Sequence, residues 1–419
     1  MVVETVLSET PQAQAQLRPL SSFEELLWQM DKRSPLHASL AAHVDGSTTI
    51  EGWSGALEET RRRHPLWSSC IVETNGGRAS FDEMHDPRIG LRVIEGEFAG
   101  AWEDEVAREL SYPFDSENGP LVRAVLMHTG ESCMFILSAH HSICDGMSLA
   151  FAMRDVLLAL SGSVLAKLSL HSSQEDTLGV VPQYETEKLA ELLAAPTVYR
   201  SKSSIVPEVR SLQFSCALTE ALRRRAREER TTVHAALVAA AGIAARRVHG
   251  YRAGRDLHLC STINNRALAG SPEDCGVFFT ACEFLLEGGA VDDLWNLARS
   301  SKDVLRMGQR EDGAHAVLGV VHGIVESRLD ACTTGEQGGK LFCFDVHVSN
   351  LGAVPIKTVY GAISLRQLWG PAVLVGLEGE QMLGVSTVND RLCLLHTSHS
   401  PVPGFLDQIE TILTLGCDS

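Results

Sequence analysis

The residues of this chain best suited to chemistry form one stretch, Ser138-Ala139-His140-His141-Ser142-Ile143-Cys144-Asp145-Gly146. Imidazole ionises near neutrality, so it can take a proton from a hydroxyl or an amine and release it again. An apolar run precedes the histidines and an amphipathic one follows the glycine, which predicts a strand, a tight turn and a helix. Adjacent residues at a strand end point to opposite faces, so one histidine faces a cleft while the other packs inward. Asp145 is placed to fix the loop that presents the histidine, and Gly146 is expected to permit a tight backbone there. The same residues could be read as a two-histidine, one-carboxylate metal site. Neighbouring histidines on a strand rarely converge on one ion, so no metal is expected. An isolated pair of histidines would simply be solvated, and it is the whole pattern that carries the argument. The chain has no G-x-S-x-G elbow, so nothing suggests a covalent acyl-enzyme.

The elements that must position this loop follow from periodicity. Ile50, Trp53 and Leu57 recur at helical spacing up to Arg61-Arg62-Arg63-His64-Pro65, where proline enforces a stop. Trp102, Val106 and Leu110 mark a second amphipathic helix ending before Pro113. Leu121 to Met127 and Cys133 to Ala139 read as a hairpin turning near Gly130. Met147 to Leu160 is the helix after the histidine loop. Residues 170–207 change to Ser, Gln, Glu, Pro and Lys without a sustained period, the texture of a connection between two lobes. Beyond it, a basic helix spans Ala217–Arg230. Thr231 or Thr232 caps an alanine-rich helix running to Arg247. Strand-like runs then dominate: Leu257–Thr262, Lys340–Val348, Ala362–Leu368, Met382–Val388 and Leu392–Leu395.

Composition narrows the class. The chain has 419 residues, 44% of them hydrophobic and 21% charged, enough for one large two-lobed structure with a sizeable core. Its formal net charge of −17 argues against nucleic acid as a partner, because phosphate contacts need a basic footprint. No run is long and apolar enough for a membrane span, and the acidic, polar N-terminus lacks the order of a signal peptide. Eleven cysteines without a CxxC pair fit a reducing compartment. A cytoplasmic monomer is expected.

The pattern HHxxxDG between a strand and a helix resembles the signature of the chloramphenicol-acetyltransferase-like superfamily. That group includes peptide-synthetase condensation domains, plant BAHD acyltransferases and stand-alone polyketide-associated acyltransferases of mycobacteria. Other segments extend the resemblance over nearly the whole chain. Arg18-Pro19-Leu20-Ser21 with Glu24 to Trp28 looks like the opening segment, and Arg63-His64-Pro65-Leu66 like the RHxxLR-type motif. Tyr112-Pro113-Phe114-Asp115 with Gly119-Pro120-Leu121-Val122-Arg123 is similar to the PFDL…GPLLR block. Thr232-Val233-His234-Ala235-Ala236-Leu237 resembles TxHxxL, Gly276-Val277-Phe278-Phe279-Thr280 resembles GxFxNT, and Ser349-Asn350-Leu351-Gly352 matches SNxG. The plant DFGWG is replaced by Arg366-Gln367-Leu368-Trp369-Gly370. This departure places the chain nearer the bacterial stand-alone, condensation-like branch.

The resemblance implies an α/β fold of two lobes, each a mixed β-sheet with flanking helices, with the active site in a tunnel between them. The implied boundaries are a disordered lead-in at 1–18, an N-terminal lobe at 19–185, a linker at 186–207 and a C-terminal lobe at 208–419. It implies acyl transfer from a CoA or acyl-carrier-protein thioester to a small-molecule alcohol or amine. His141 would be the general base and His140 a structural residue. Asp145 would pair with an arginine of the second lobe, for which Arg266 is the candidate. The oxyanion would be met by backbone N–H groups near Asp145 and Gly146, or by the hydroxyl of Ser349. No cofactor is implied beyond the CoA or phosphopantetheine of the donor. The basic clusters Arg61–Arg63, Arg223–Arg230 and Arg246–Arg255 are ordinarily solvated faces. In a functional version, one of them would meet the donor's phosphate or a carrier protein. Two alternatives remain open: a free-standing peptide condensation enzyme, and an inactive module that only recruits carrier-bound intermediates.

Overall fold

The computed structural model describes residues 15–73, 78–96, 98–180, 199–200, 206–247, 255–271, 273–289, 293–327 and 330–418. Two six-stranded mixed sheets and their flanking helices make up most of the molecule. Its strands are β1 (Gln16–Pro19), β2 (His37–Asp45), β3 (Ser69–Glu73), β4 (Ala79–Glu83), β5 (Gly90–Glu95), β6 (Val122–His128), β7 (Ser132–His140), β8 (Glu208–Gln213) and β9 (Leu257–Asn264). Then follow β10 (Phe279–Leu286), β11 (Val346–Ala353), β12 (Val359–Tyr360), β13 (Ile363–Ala372), β14 (Gln381–Val388) and β15 (Arg391–Ser398). The first sheet has the order β12-β13-β2-β7-β6-β5 and the second β10-β9-β11-β14-β15-β8. A three-stranded sheet, β1-β4-β3, completes the set.

The predicted elements of the first half form where the periodicity put them. The helix Ile50–Arg63 starts at Thr49, whose hydroxyl accepts the Gly52 N–H, and packs on the first sheet by stacking Trp53 on Phe135 at 4.5 Å. Such burial of an aromatic pair is worth a few kcal/mol, and Trp53→Ala would leave a cavity at about 3–5 kcal/mol. Thr232 rather than Thr231 caps the alanine-rich helix Val233–Arg247, its Oγ1 accepting from Ala235 N at 3.1 Å. The small side chains of that helix are buried against the second sheet's core.

The structure departs from the sequence expectation in several places. Residues 16–18, expected as part of a disordered lead-in, lie in β1, antiparallel to β4. Arg18 anchors the strand by donating two 2.7 Å hydrogen bonds to Glu24. Residues 1–14 lie outside the described residues. So does most of the expected linker at 186–207, although Tyr199 bridges Leu377 and donates to the Gly335 carbonyl at 2.9 Å. The chain after 208 does not stay in its own lobe: β13 pairs antiparallel with β2 and so completes the first sheet. The run Lys340–Val348, expected as a strand, is the end of the helix Ala331–Leu341 followed by β11.

Where β13 of the first sheet passes β14 of the second, the two backbones nearly touch. A Cβ on Gly384 would lie 2.1 Å from the Pro371 carbonyl oxygen, so only glycine fits. The helices Glu311–Glu326 and Ala331–Leu341, from the second half of the chain, pack on the helix Ser22–Arg33 from the first. The lobes are therefore tied on both sides of the cleft that separates their sheets.

Candidate active site

His140 ends β7, and the turn that follows delivers Asp145 as the N-cap of the helix Gly146–Leu160. The Asp145 carboxylate accepts the Ser148 N–H at 2.8 Å, which is the ordinary reason for an aspartate at a helix start. Its other oxygen reaches across the cleft. Arg266 Nη1 donates to it at 2.8 Å and the Phe278 N–H at 3.0 Å, both from the second half of the chain. Arg266 also donates to Ser148 Oγ at 2.6 Å and to the Asp274 carbonyl at 3.2 Å, with its guanidinium 5.0 Å from the centre of the Phe278 ring. Burial alone would push the Asp145 carboxyl up. The charge and hydrogen bond of Arg266, with the two backbone N–H groups, outweigh it and hold the carboxyl below its ordinary value. The aspartate is thus fully occupied by the scaffold and points away from the cavity chemistry.

The two histidines diverge, as alternation along a strand requires. His140 is fully buried, with Nδ1 accepting from Ser142 and Nε2 3.5 Å from Asp31. His141 lines a cavity between the two sheets. Its backbone N–H donates to the Leu36 carbonyl, and its ring lies 5.3 Å from Phe279. Nδ1 is buried without a hydrogen bond of normal geometry, which leaves Nε2 to face the cavity. Burial pushes the imidazole's pKa down, against weaker opposition from the surrounding backbone and Asp145. The ring is therefore neutral at pH 7 and holds a free lone pair, the state a general base needs.

Gly146 serves the site by its size. Its φ is not in the left-handed region, contrary to the expectation of a special backbone turn. A Cβ there would stand 3.0 Å from Leu351 Cδ2 and 3.0 Å from Pro371 Cγ, so glycine lets the helix start close to the far wall. The first turn also leaves the Gly146 and Met147 N–H groups without intrahelical acceptors, and both residues line the cavity. Ser349, on β11, stands on the opposite wall and accepts from Thr262 Oγ1 at 3.2 Å. With one lone pair so engaged, its own O–H is available to donate. The cavity is therefore lined by the neutral His141 and His347 imidazoles, a neutralised ion pair, several hydrogen-bond donors and largely apolar walls.

His140 and His141 turn away from each other, and His140 is taken up by Ser142 and Asp31. Among the described residues, no group of three or more His, Cys, Asp or Glu side chains could hold a metal ion. The basic clusters are largely neutralised locally: Arg61 by Glu58, Arg63 by Asp155, Arg225 by Glu229. Residues 248–254 of the third cluster lie outside the described residues.

The match is recognisable beyond geometry. Residues 203–394 fit the family model described as phthiocerol/phthiodiolone dimycocerosyl transferase C-terminus. The chain spans only a few per cent of the length of the first curated relatives it matches. One of these, a linear gramicidin synthase polypeptide of Brevibacillus parabrevis, is 30% identical over 254 residues, 53% of this chain and 3% of that protein. The structure of polyketide synthase associated protein 5 from Mycobacterium tuberculosis superposes with a TM-score of 0.68 at 15% identity, over 97% of this chain and 100% of that one. The first condensation domain of the CDA synthetase superposes with 0.69 at 14% identity, over 96% and 97%. The chain shares the fold of these two structures. The two-lobed α/β architecture expected from its motifs is the one observed.

One feature of this cavity was not singled out from sequence. His347 lines it with both ring nitrogens unpartnered. The signal was nonetheless available. In Val346-His347-Val348-Ser349 the two valines face the core, so strand alternation puts His347 on the same side as Ser349. Leu27 and Met30 of the helix Ser22–Arg33, also in the lining, carry no comparable mark in the sequence.

Proposed function

We propose that the chain is an acyltransferase that moves an acyl group from a CoA or carrier-protein thioester to the hydroxyl or amine of a small molecule. The observation that carries this reading is the neutral His141 imidazole at the wall of a cavity between two sheets. The acceptor O–H or N–H donates to His141 Nε2, and its oxygen or nitrogen attacks the thioester carbon as the proton moves to the ring. The carbonyl oxygen gains charge and is met by the Gly146 and Met147 N–H groups or by the Ser349 hydroxyl. Collapse breaks the C–S bond, and His141 returns its proton to the departing thiolate. Proton and electron pairs balance, and no resident cofactor takes part. Asp145 and Arg266 hold the loop and do not touch substrate.

Purified protein is to be incubated with a panel of acyl-CoA thioesters and of alcohols and amines, with products followed by mass spectrometry. Turnover is expected for wild type, and His141→Ala is expected to lower it ~10²–10⁴-fold with an unchanged melting temperature. Near-wild-type turnover by that variant with a non-activated alcohol would assign the base elsewhere. The likeness to condensation domains supports a second reading, in which donor and acceptor are both carrier-bound. Turnover of carrier-loaded pairs, with none from CoA thioesters, would select it.

A further inference from the structure

The buried histidines divide into two groups. Among the described residues, His37, His64, His140 and His396 each commit a ring nitrogen to a protein partner: the Glu109 carbonyl, Asp155, Ser142 and Gln381. His141 and His347 do not, and these are the two that line the cavity. His347 is 8% exposed, and neither Nδ1 nor Nε2 has a hydrogen-bond partner. Phe344 meets its ring edge-on at 5.0 Å, and the cavity around it is walled by Leu27, Met30, Phe342 and Met382. Burial and the nearby histidines push its pKa down to about 3, so the ring is neutral under ordinary conditions.

A neutral imidazole offers one N–H donor and one lone pair. Left without a partner in an apolar wall, it is unfavourable, and it rejects a ligand that brings only hydrocarbon. A carboxylate or ammonium would find no countercharge in this wall. A hydroxyl or oxo oxygen would satisfy it. His347 and Ser349 share one face of β11 two residues apart, a separation of roughly 7 Å along a strand, so the complementary group lies a few bonds from the reacting carbonyl. Building on the acyl-transfer reading, we infer that His347 is a specificity residue: it recognises a hydroxyl or oxo substituent on the otherwise hydrocarbon chain bound in this end of the cavity.

The test uses binding, so that it does not depend on turnover. Three medium-chain acyl-pantetheine amides, in which NH replaces the thioester sulfur, serve as probes: one plain, one with a mid-chain hydroxyl and one with a mid-chain oxo group. Their dissociation constants are measured by calorimetry on the full chain as wild type, His347→Leu and His347→Gln. Wild type is expected to bind an oxygenated probe about tenfold or more tightly than the plain one. His347→Leu is expected to lose that preference and His347→Gln to keep part of it. Equal binding of all three probes by wild type overturns the inference, as does absence of binding or a preference that survives in His347→Leu. The wild-type comparison alone decides the matter if the leucine variant fails to fold. Turnover of the plain acyl-CoA without discrimination among probes refutes the role of His347 alone. Discrimination without any turnover refutes acyl transfer alone.

Discussion

Replacing Asp145 by alanine removes three interactions at once: the Arg266 ion pair and the hydrogen bonds from Ser148 N and Phe278 N. Losing the helix cap costs about 1 kcal/mol. Leaving Arg266, which is 4% exposed, without its countercharge costs about 3–5 kcal/mol. The expected sum of about 4–6 kcal/mol is a large share of the ~5–15 kcal/mol by which a folded protein is ordinarily stable. Arg266→Ala should cost about 3–5 kcal/mol, because the carboxylate keeps its two backbone donors. In the double variant no buried charge is orphaned, so the two effects should overlap by about 2–3 kcal/mol. Denaturant midpoints of the four proteins, read by circular dichroism, give this coupling directly. A coupling within about 0.5 kcal/mol of zero would show that the residues are not partners. A loss of turnover by Asp145→Ala at unchanged midpoint would mean that the aspartate acts on the chemistry, and the scaffold argument would fall.

Three further outcomes follow from the geometry. Because burial holds the His141 pKa below 6.5 and the base must be neutral, kcat/KM should rise with pH through a midpoint under 6.5 and stay level at pH 7; a midpoint above 7 contradicts this. Gly384→Ala should destabilise by ~3 kcal/mol or prevent folding, since its Cβ meets backbone that cannot yield. Gly146→Ala, which meets only side-chain atoms, should cost ~1 kcal/mol or less but lower kcat/KM several-fold; equal melting temperatures for the two variants would refute the contrast. Stability should decline gently from about pH 6.5 to 4.5, by about 1.4 kcal/mol per pH unit because four histidines oppose three glutamates, and more steeply below 4.5. His37 and His234 are pushed down to about 4, and His347 and His396 to about 3. Their contribution is complete above 6.5 and is lost at ~1.4 kcal/mol per pH unit each as pH falls toward those values. Glu25, Glu175 and Glu380, raised to about 7 from 4.5, act in the opposite sense, gaining stability as pH falls to 4.5 and nothing below it. A denaturant midpoint that falls as steeply between pH 6.5 and 4.5 as it does below 4.5 would show that these opposing groups do not offset one another.

Much of the first lobe and of the histidine loop was legible because local rules act there. Pro65 marks a helix end and Thr231 or Thr232 a helix start by their own chemistry, and a strand that alternates turns one histidine inward and the other toward the cleft. The three helices from Leu294 to Leu341 were missed, although Asp293 and Asp330 cap two of them. Their apolar faces are set by packing on the helix Ser22–Arg33 and on the second lobe, which no local pattern announces. The role of Gly146 was assigned to backbone freedom, whereas the need for space comes from Leu351 and Pro371, distant in sequence. The join of β13 to β2 was hidden for the same reason. Nothing in 363–372 says which of two half-buried sheets it will complete.

That join bears on how the protein is made. His43 and Gln367, neighbours in the finished sheet, are 324 residues apart in the chain. At about 5–20 residues per second, a ribosome needs roughly 15–65 s to add the segment that covers the outer edge of β2. Throughout that interval the nascent chain carries an open strand edge, with Leu40, Ala42 and Val44 in it, of the kind that invites pairing with other chains. The first lobe is therefore not a unit that can finish folding behind the exit tunnel. It must wait, shielded or at risk of aggregation, for a strand made more than 300 residues later, 324 residues separating His43 from Gln367.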